Sequence, residues 1–189
     1  MLRQVALPSM RIIAGQARGR RLRSPRGMAT RPMMDRAREA LFSSLGELIR
    51  AGRVLDLYAG SGSLGLEALS RGAASAVFVE QGRPALEALR ENIGMVGLGG
   101  RIVAEDVVRY LKSTGDQFDL VFVDPPYALD LASVSEILTL IAGRIPVGGT
   151  VVLHRPDGEA EPDAPAGLSR VDTRRYGGTR LWRYERKMP

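Results

Sequence analysis

The fold is decided by one stretch of sequence, Val54-Leu55-Asp56-Leu57-Tyr58-Ala59-Gly60-Ser61-Gly62-Ser63-Leu64-Gly65. Its first four residues are typical of a short buried β-strand, and its last residues begin a helix. The stretch contains the pattern G-x-G-x-x-G, in which glycines permit tight turns and the close approach of a ligand. A strand, a glycine turn and a helix in this order predict the opening unit of a doubly wound α/β sheet.

Strands and helices alternate along the rest of the chain. Five apolar runs predict strands at 54–57, 76–79, 101–104, 120–123 and 150–153. The spacing of apolar residues predicts helices at 37–49, 64–71, 83–95, 107–111 and 131–141. Near the end, Gly177-Gly178 separates the strand-like segments 170–176 and 179–186 and predicts an antiparallel hairpin. The pattern therefore predicts a Rossmann-like α/β fold with a mostly parallel seven-stranded sheet and a C-terminal hairpin.

Composition narrows the class of protein. The chain has 189 residues, 44% of them hydrophobic, with no Cys and one His. The lack of cysteine excludes disulfides, thiolate metal ligands and cysteine catalysis, and a single histidine argues against a metal centre. No apolar run approaches the roughly 18 residues of a membrane span, and the first residues lack the apolar core of a secretory signal. We therefore expect a cytoplasmic protein with no metal and no membrane partner, and the sequence carries no signal for an oligomeric state.

Charge is distributed unevenly along the chain. Residues 1–34 hold eight arginines and no acidic residue, residues 170–189 carry a net charge of +5, and the segment between them carries −7. Within the first segment, 10–13 and 18–23 predict a basic β-hairpin, which divides the chain into a basic arm, 1–30, and an α/β domain, 31–189. Basic ends on an acidic body favour a protein that holds a polyanion and acts on a small group. Because 25 of the 27 basic residues are arginine, a GC-rich genome is an alternative explanation.

Acidic residues lie where the first three predicted strands end. Glu80 follows the second strand, where a carboxylate can accept hydrogen bonds from the ribose of either NAD or S-adenosylmethionine. Asp56 precedes the glycine turn, and a carboxylate there disfavours the pyrophosphate of a dinucleotide but suits the ammonium group of S-adenosylmethionine. The alternative is that Asp56 is a strand-end cap or a structural hydrogen-bond acceptor. Asp106 follows the third strand. It can accept from an adenine amino group, with the N–H of Val107 beside it, or it is the N-cap of the next helix.

The most specific motif in the chain is Phe122-Val123-Asp124-Pro125-Pro126-Tyr127. Two prolines fix the backbone after an apolar strand, so the turn presents the Asp124 carboxylate, the Pro125 carbonyl and the Tyr127 ring together. The two oxygens can accept from an exocyclic NH₂ group, while stacking of its base on the ring contributes about 1–3 kcal/mol. An amine held in this way can attack a sulfonium methyl group in line, without a metal or a covalent intermediate. Asp124 would stabilise the positive charge that develops on the nitrogen.

These motifs resemble those of class I S-adenosylmethionine-dependent methyltransferases that act on exocyclic amino groups. The pattern D-x-Y-A-G-S-G-x-x-G-x-E-A is followed by F-D-L-V-F-V-D-P-P-Y. Further blocks are similar to the bacterial RsmD family, which methylates guanine N2 at nucleotide 966 of 16S ribosomal RNA. They are 10–15, 19–22, 30–32, 35–42 and 66–73. The resemblance runs from about Met10 to Arg186, nearly the whole chain.

The resemblance implies roles for individual residues. The cofactor S-adenosylmethionine would be held by Asp56, Tyr58, Ala59, Gly60, Ser61, Gly62, Glu80, Gln81, Asp106, Val107 and Asp124. The target base would be held by the catalytic turn, Asp124, Pro125, Pro126 and Tyr127. Phosphates of the RNA would be bound by Arg18, Arg20, Arg21, Arg23 and Arg31, and the segment 30–32 would border the cleft.

The sequence also supports separate expectations for four other residues. Gly82 and Gly178 stand where the family often has an acid, so ribose contacts would depend on Glu80, and the hairpin has no assigned role. We expect His154 to be structural or exposed rather than a catalytic base. We expect Trp182 to lie in the core.

The preferred interpretation is an enzyme that transfers a methyl group from S-adenosylmethionine to the N2 amine of guanine 966 in 16S ribosomal RNA. Its partner would be that RNA, either naked or within a partly assembled small ribosomal subunit. One alternative is a methyltransferase acting on a DNA base or a protein glutamine, because the turn at 124–127 suits any amide-like NH₂. Another is a non-catalytic RNA-binding assembly factor with the same fold. A NAD-linked oxidoreductase is the least favoured.

Overall fold

Seven strands form one mixed sheet in the computed structural model, which describes residues 10–25 and 35–188. The strands are β1 (Arg53–Leu57), β2 (Ser75–Glu80), β3 (Arg101–Ala104), β4 (Leu120–Val123), β5 (Thr150–Pro156), β6 (Leu168–Tyr176) and β7 (Thr179–Arg186). Their order across the sheet is β3-β2-β1-β4-β5-β7-β6. The first five strands are parallel, and β7 is antiparallel to β5 and β6. The predicted doubly wound sheet with a C-terminal hairpin is confirmed.

Helices in the described residues cover both faces of this sheet. They are α1 (Asp35–Leu45), α2 (Ser63–Ser70), α3 (Arg83–Val96), α4 (Val107–Ser113) and α5 (Leu131–Ala142). Because side chains alternate along a strand, Phe78 and Phe122 pack on one face in an apolar cluster with residues of α1, α2 and α3. Val121 and Leu153 pack on the other face with residues of α4 and α5. Trp182 is fully buried in this second cluster, as predicted.

Two element ends differ from the prediction by three residues or more. The helix predicted at 37–49 ends at Leu45, because Gly46 adopts a φ of +48° and a 3₁₀ turn, Gly46–Ile49, follows it. The strand predicted at 150–153 continues to Pro156, because it stays paired with β7 through His154 and Arg155. These two polar residues therefore lie within a strand of the sheet rather than in the loop after it.

The described part of the basic arm, residues 10–25, is a hairpin packed against the α/β domain. A single antiparallel bridge joins Arg11 to Arg21, so the hairpin is less regular than the predicted one. Its apolar side chains are buried in the cluster that contains α1 and α2: Met10, Ile12, Ala17 and Leu22. The fully buried Glu67 of α2 accepts hydrogen bonds from the backbone N–H groups of Ile13 at 2.7 Å and Ala14 at 3.0 Å. The predicted domain boundary at residue 30 lies outside the described residues.

Acidic side chains gather at the carboxyl ends of β1, β2, β3 and β4, the edge at which doubly wound sheets bind ligands. Across residues 10–25 and 35–188, no three or more His, Cys, Asp or Glu side chains are placed to share a metal ion. None of the helices formed by these residues is long and apolar enough to cross a membrane.

Candidate active site

The glycine loop, residues 58–62 between β1 and α2, has a backbone that few residues can adopt. Tyr58 has a φ of +58°, a left-handed conformation that costs a residue with a side chain about 1–2 kcal/mol. Gly62 has a φ of +78°, and a Cβ atom on it would lie 2.4 Å from Cδ1 of Leu89. The N–H of Ala59 bonds to the carbonyl of Val79 at 3.1 Å, which keeps the loop against the end of β2. Such local strain is typical of functional loops.

Glu80, at the end of β2, holds this loop through backbone groups. Its Oε2 accepts the N–H of Gly60 at 2.9 Å, and its Oε1 accepts those of Gln81 and Gly82 at 2.8 and 2.7 Å. A Cβ atom on Gly82 would lie 3.1 Å from that Oε1, so glycine at this position leaves room for the carboxylate. Glu80 is half-buried and Gln81 is exposed. The structure thus places a carboxylate where ribose hydroxyls are expected.

Asp56 lies beneath the glycine loop and is 1% exposed. Its Oδ2 accepts the N–H of Gly65 in α2 at 2.8 Å, an approach that needs glycine because a Cβ atom there would lie 2.3 Å from Cε1 of Phe78. Burial raises the pKa of Asp56 well above its ordinary value, whereas the bond from Gly65 lowers it. The charges of Asp124 and Glu80 raise it further. Asp56 therefore supports the loop and belongs to a group of neighbouring carboxylates.

Asp106 follows β3, which is separated from β1 and its glycine loop by β2. Its Oδ1 accepts the N–H of Arg109 at 3.0 Å, which confirms Asp106 as the N-cap of α4, while its contact with adenine stays a prediction. The adjacent Val107 is buried. Tyr58 is half-buried, and burial, together with the charges of Asp106 and Glu80, raises the pKa of its phenol to about 12. The phenol therefore remains a hydrogen-bond donor at neutral pH.

The catalytic turn, residues 124–127, lies beside the glycine loop because β1 and β4 are neighbours in the sheet. The N–H of Asp124 reaches the carbonyl of Leu57 at 3.4 Å. Pro125 is buried, whereas the side chain of Asp124 is 36% exposed and Tyr127 is 50% exposed. The turn therefore offers a carboxylate and an aromatic face to a ligand at the edge where the other acids gather.

β5 supplies two buried side chains that hold this turn, and the first is His154. Its Nδ1 lies 2.6 Å from Oδ1 of Asp124, and its ring centroid lies 6.2 Å from that of Tyr127. His154 is 3% exposed, so the expectation of a structural histidine holds and that of an exposed one does not.

The second is Arg155, which is fully buried. Its Nη1 donates to the carbonyl of Pro126 at 2.9 Å, and its Nη2 donates to that of Leu129 at 2.6 Å. The guanidinium also forms a two-point ion pair with Glu159, at 2.6 Å from Nε and 2.7 Å from Nη2. This planar fork therefore fixes the direction in which the carbonyls of the turn point.

Asn92 of α3 links the basic hairpin to the glycine loop. Its Nδ2 donates to the carbonyl of Arg23 at 2.9 Å and to that of Ser61 at 2.8 Å. Its Oδ1 accepts the N–H of Arg23 at 2.8 Å. Ser61 is buried as well, and its Oγ lies 3.7 Å from the sulfur of Met10. The loop predicted to bind the cofactor is thus joined to the arm predicted to bind RNA.

The arginines predicted to contact RNA differ in their surroundings. Arg20 donates from Nη1 to two carbonyls in the last turn of α3, at 2.5 and 2.8 Å. Arg23 forms an exposed ion pair with a glutamate of the same helix at 2.9 Å. Arg18 and Arg21 are exposed on the hairpin. Arg31 lies outside the described residues.

Sequence reasoning assigned no role to Glu67, Asn92 or Arg155. Each is a polar residue that the structure buries completely. A charge between apolar neighbours is a usable signal for Glu67, which lies between Leu66 and Ala68. Asn92 and Arg155 carry no such signal, because the backbone carbonyls to which they donate lie 26 to 69 positions away in the chain.

The chemistry of the site favours a cationic ligand that carries a nucleoside. Four strand ends at this edge of the sheet carry a carboxylate: Asp56, Glu80, Asp106 and Asp124. Such a cluster repels a pyrophosphate and attracts a sulfonium or an ammonium group. The neighbouring turn offers an acceptor and a ring suited to an amino-bearing base.

Comparisons with known proteins agree with this description. A family model described as "Conserved hypothetical protein 95" matches residues 10–185. The ribosomal RNA small subunit methyltransferase D of Escherichia coli is 44% identical over 119 residues, which are 62% of this chain and 60% of that relative, so the match spans less than two thirds of its length. A provisionally named rRNA methyltransferase of Bacillus subtilis is 36% identical over 137 residues, 70% of this chain and 73% of the relative.

A solved structure resembles the chain over nearly its whole length. It is a provisionally named methyltransferase from Escherichia coli, with a TM-score of 0.84 and 35% identity, covering 95% of this chain and 98% of that one. The predicted class I methyltransferase fold and the predicted family resemblance are both confirmed.

Proposed function

The chain belongs to the family described as conserved hypothetical protein 95, and we propose that it is an S-adenosylmethionine-dependent methyltransferase of ribosomal RNA. Its target is the exocyclic N2 amine of a guanine in 16S ribosomal RNA, at nucleotide 966. The observation that carries this proposal is the catalytic turn lying beside the acidic glycine loop, with Asp124 N–H and Leu57 O 3.4 Å apart. An amine held by the turn faces whatever the loop binds.

The residues of the loop suit S-adenosylmethionine. Glu80 accepts from the ribose hydroxyls, Asp106 and the N–H of Val107 face the adenine, and Asp56 balances the positive charge of the amino-acid part. Gly60 and Ser61 bring backbone close to the ligand, with Ala59, Gly62 and Gln81 completing the wall. The bound cofactor supplies a methyl group on a sulfonium, which is already a good leaving group.

The turn positions the base for an in-line displacement. Asp124 and the carbonyl of Pro125 accept hydrogen bonds from the two hydrogens of the guanine amine, and Tyr127 stacks on the ring. These contacts would aim the nitrogen lone pair at the methyl group that the bound cofactor would supply, and transfer would form an N–C bond as the C–S bond breaks. The nitrogen would become positive in that step and would then release a proton to solvent water. Asp124 stabilises this charge where it develops, which is worth most in the transition state.

The exposed arginines of the hairpin bind the RNA backbone. Arg18 and Arg21 lie on its surface, and a groove of about 240 Å³ between the hairpin and α1 is lined by Arg11, Arg18 and Glu39. Phosphate contacts position RNA without reading its bases and weaken as salt is added. The double replacement of Arg18 and Arg21 by serine should lower RNA affinity and reduce the slope of log K against log salt by about 0.7–0.9 per lost contact. Replacing Arg50, which is exposed directly after the 3₁₀ turn that follows α1, is the matched control.

The natural substrate is a guanine that can leave its stack, as in a loop of the RNA. We infer that the enzyme acts in the cytoplasm on 16S ribosomal RNA, either naked or within a partly assembled small subunit. Incubation with methyl-labelled cofactor and three substrates separates the possibilities: naked 16S RNA, purified small subunits, and subunits stripped of part of their proteins.

The decisive experiment is to map modified nucleotides in 16S ribosomal RNA from cells that lack this chain. We expect N2-methylguanosine at nucleotide 966 to disappear and to return with the unaltered gene but not with Asp124→Ala. Transfer to a DNA or a glutamine-containing protein instead of RNA would overturn the substrate. Binding of RNA without transfer to any substrate would favour a non-catalytic assembly factor.

A further inference from the structure

The only histidine of the chain lies against the catalytic carboxylate. His154 Nδ1 is 2.6 Å from Asp124 Oδ1, and the side chain of His154 is 4% exposed against 36% for that of Asp124. A residue that only fills the core is usually apolar, because a buried ring nitrogen without a hydrogen-bond partner costs free energy. Its contact with Asp124 therefore needs a reason.

The sheet holds this histidine in place from two sides. β4 and β5 are parallel with Val123 opposite Leu153, so the next residues along, Asp124 and His154, lie side by side. On its other side, β5 pairs with β7, and His154 lies opposite Leu181. The imidazole is thus attached to a central strand, whereas Asp124 begins a turn. The more rigid partner sets the position of the other.

We propose that His154 is a positioning residue for Asp124, a role that rests on the proposed function of the turn. His154 donates its Nδ1–H to Oδ1 of Asp124 and so directs Oδ2 toward the amine of the substrate. The other ring nitrogen, Nε2, is buried without a hydrogen-bond partner among the described residues. A bare lone pair there is less costly than a buried N–H without an acceptor, which favours the tautomer that carries its proton on Nδ1.

The consequence is a carboxylate with one oxygen fixed and one oxygen available. Asp124 then cannot rotate away from the base, and its charge stays aligned with the nitrogen that becomes positive during transfer. A displacement of about 1 Å in such a contact can cost on the order of 10²-fold in rate. His154 itself takes no proton and touches no substrate in this proposal.

A spectroscopic experiment tests the pair without any catalysis. Because the chain holds one histidine, an untagged sample labelled with ¹⁵N in histidine gives the signals of one imidazole. We expect a proton on Nδ1 and an unprotonated Nε2, and a change in the Nδ1 signals in Asp124→Ala. A proton on Nε2, or signals that Asp124→Ala leaves unchanged, would overturn the pairing.

A kinetic experiment tests the role, with labelled cofactor and 16S ribosomal RNA. In His154→Asn the side-chain amide can still donate from near the Nδ1 position, so kcat should stay within about fivefold. In His154→Leu it should fall at least about tenfold, with both KM values and cofactor affinity little changed, because the lost interaction acts in the transition state. Full kcat in His154→Leu, or an equal loss in both variants, would contradict positioning.

Two controls distinguish a folding defect from a loss of catalytic function. Thermal unfolding and calorimetric cofactor binding show whether a variant is folded, and a merely structural histidine would lower stability and raise KM together. If the unaltered chain transfers methyl groups to no RNA, the proposed function fails while the spectroscopic result still decides whether His154 and Asp124 are paired.

Discussion

The glycine loop and the catalytic turn end neighbouring strands of the same sheet, yet they are held by opposite means. The glycine loop is fixed by carboxylates that accept backbone N–H groups: Glu80 accepts from Gly60 in the loop, and Asp56 accepts from Gly65 in the helix that follows it. The catalytic turn is fixed by donors from β5, with Arg155 on its carbonyls and His154 on its carboxylate. The first is supported by acids and the second by bases.

The difference follows from what each loop has to present. Acids that support the first loop also gather negative charge there, which a cationic ligand can offset. The second loop must present acceptors to an amine. Arg155 holds its backbone through the carbonyls of Pro126 and Leu129, which leaves the carbonyl of Pro125 for the amine, and His154 holds one oxygen of its carboxylate. In each loop, the charge of the supporting groups therefore suits the chemical groups that the loop presents to its ligand.

Removing the acceptor from the catalytic turn should have the largest effect. We expect Asp124→Ala to lower kcat by about 10³-fold, since it removes both a substrate contact and the charge that stabilises the transition state. Cofactor affinity, measured by calorimetry, should change by less than about threefold. Asp163→Ala, at an exposed position, is the control. If Asp124→Ala kept most of its activity, the catalytic turn would not be the loop that supplies the acceptor for the amine.

Removing the main donor behind the turn should come next. Arg155→Met strips partners from Glu159 and from the carbonyls of the turn, and we expect a loss of about 3 kcal/mol in the free energy of unfolding. Arg155→Lys keeps the charge but loses the planar fork, so its kcat should still fall by about tenfold or more. Arg101→Met, which breaks an exposed ion pair with Asp116, should cost at most about 1 kcal/mol.

Cutting the link between hairpin and glycine loop should be weaker. Asn92→Ala leaves the carbonyl of Ser61 and the backbone of Arg23 without their partner, at a cost of about 2 kcal/mol, and cofactor affinity should fall several-fold. Glu91→Ala removes the neighbouring exposed ion pair of Arg23 and leaves these bonds intact. Both variants are compared by chemical denaturation and calorimetry, and equal behaviour would show that the link has no effect on the loop.

The smallest effect should come from the acid beneath the glycine loop, and it depends on pH. Since the pKa of Asp56 is raised in the folded chain, folding favours its protonated form. The stability that this gives is present below the unfolded pKa and is lost as pH rises through the folded value. Asp56→Asn, which cannot ionise, should therefore unfold at a higher temperature than the unaltered chain at pH 8, by roughly 2–4 °C for about 1 kcal/mol.

The advantage of Asp56→Asn should shrink as pH falls toward 4, because protonation of the carboxyl in the unfolded chain begins near its ordinary pKa of 3.8. Asp163→Asn is the control and should show no such trend, since Asp163 is exposed. A variant that is less stable than the unaltered chain at pH 8 would mean that the bond to Gly65 outweighs burial.

The sequence predicts the two loops well because their signals are local. The glycine pattern and the Asp124-Pro125-Pro126-Tyr127 turn each occupy a few consecutive residues, and the sheet order follows from alternating strands and helices. The supports of the turn are not predictable in this way. Arg155 and His154 act because β5 runs beyond its apolar part, and that extension depends on pairing with β7. Asn92 and Glu67 likewise act on a hairpin more than 50 residues away.

The arginines of β6 have a consequence for how copies of this chain behave together. β6 is the outermost strand on its side of the sheet, and the exposed Arg170 and Arg175 lie along it. An outer strand can act as a template for another sheet, and like charges and irregular pairing prevent this. β6 has both, because its register with β7 shifts between Arg170 and Asp172. Part of the positive charge at the end of the chain thus opposes edge-to-edge aggregation, independently of any ligand.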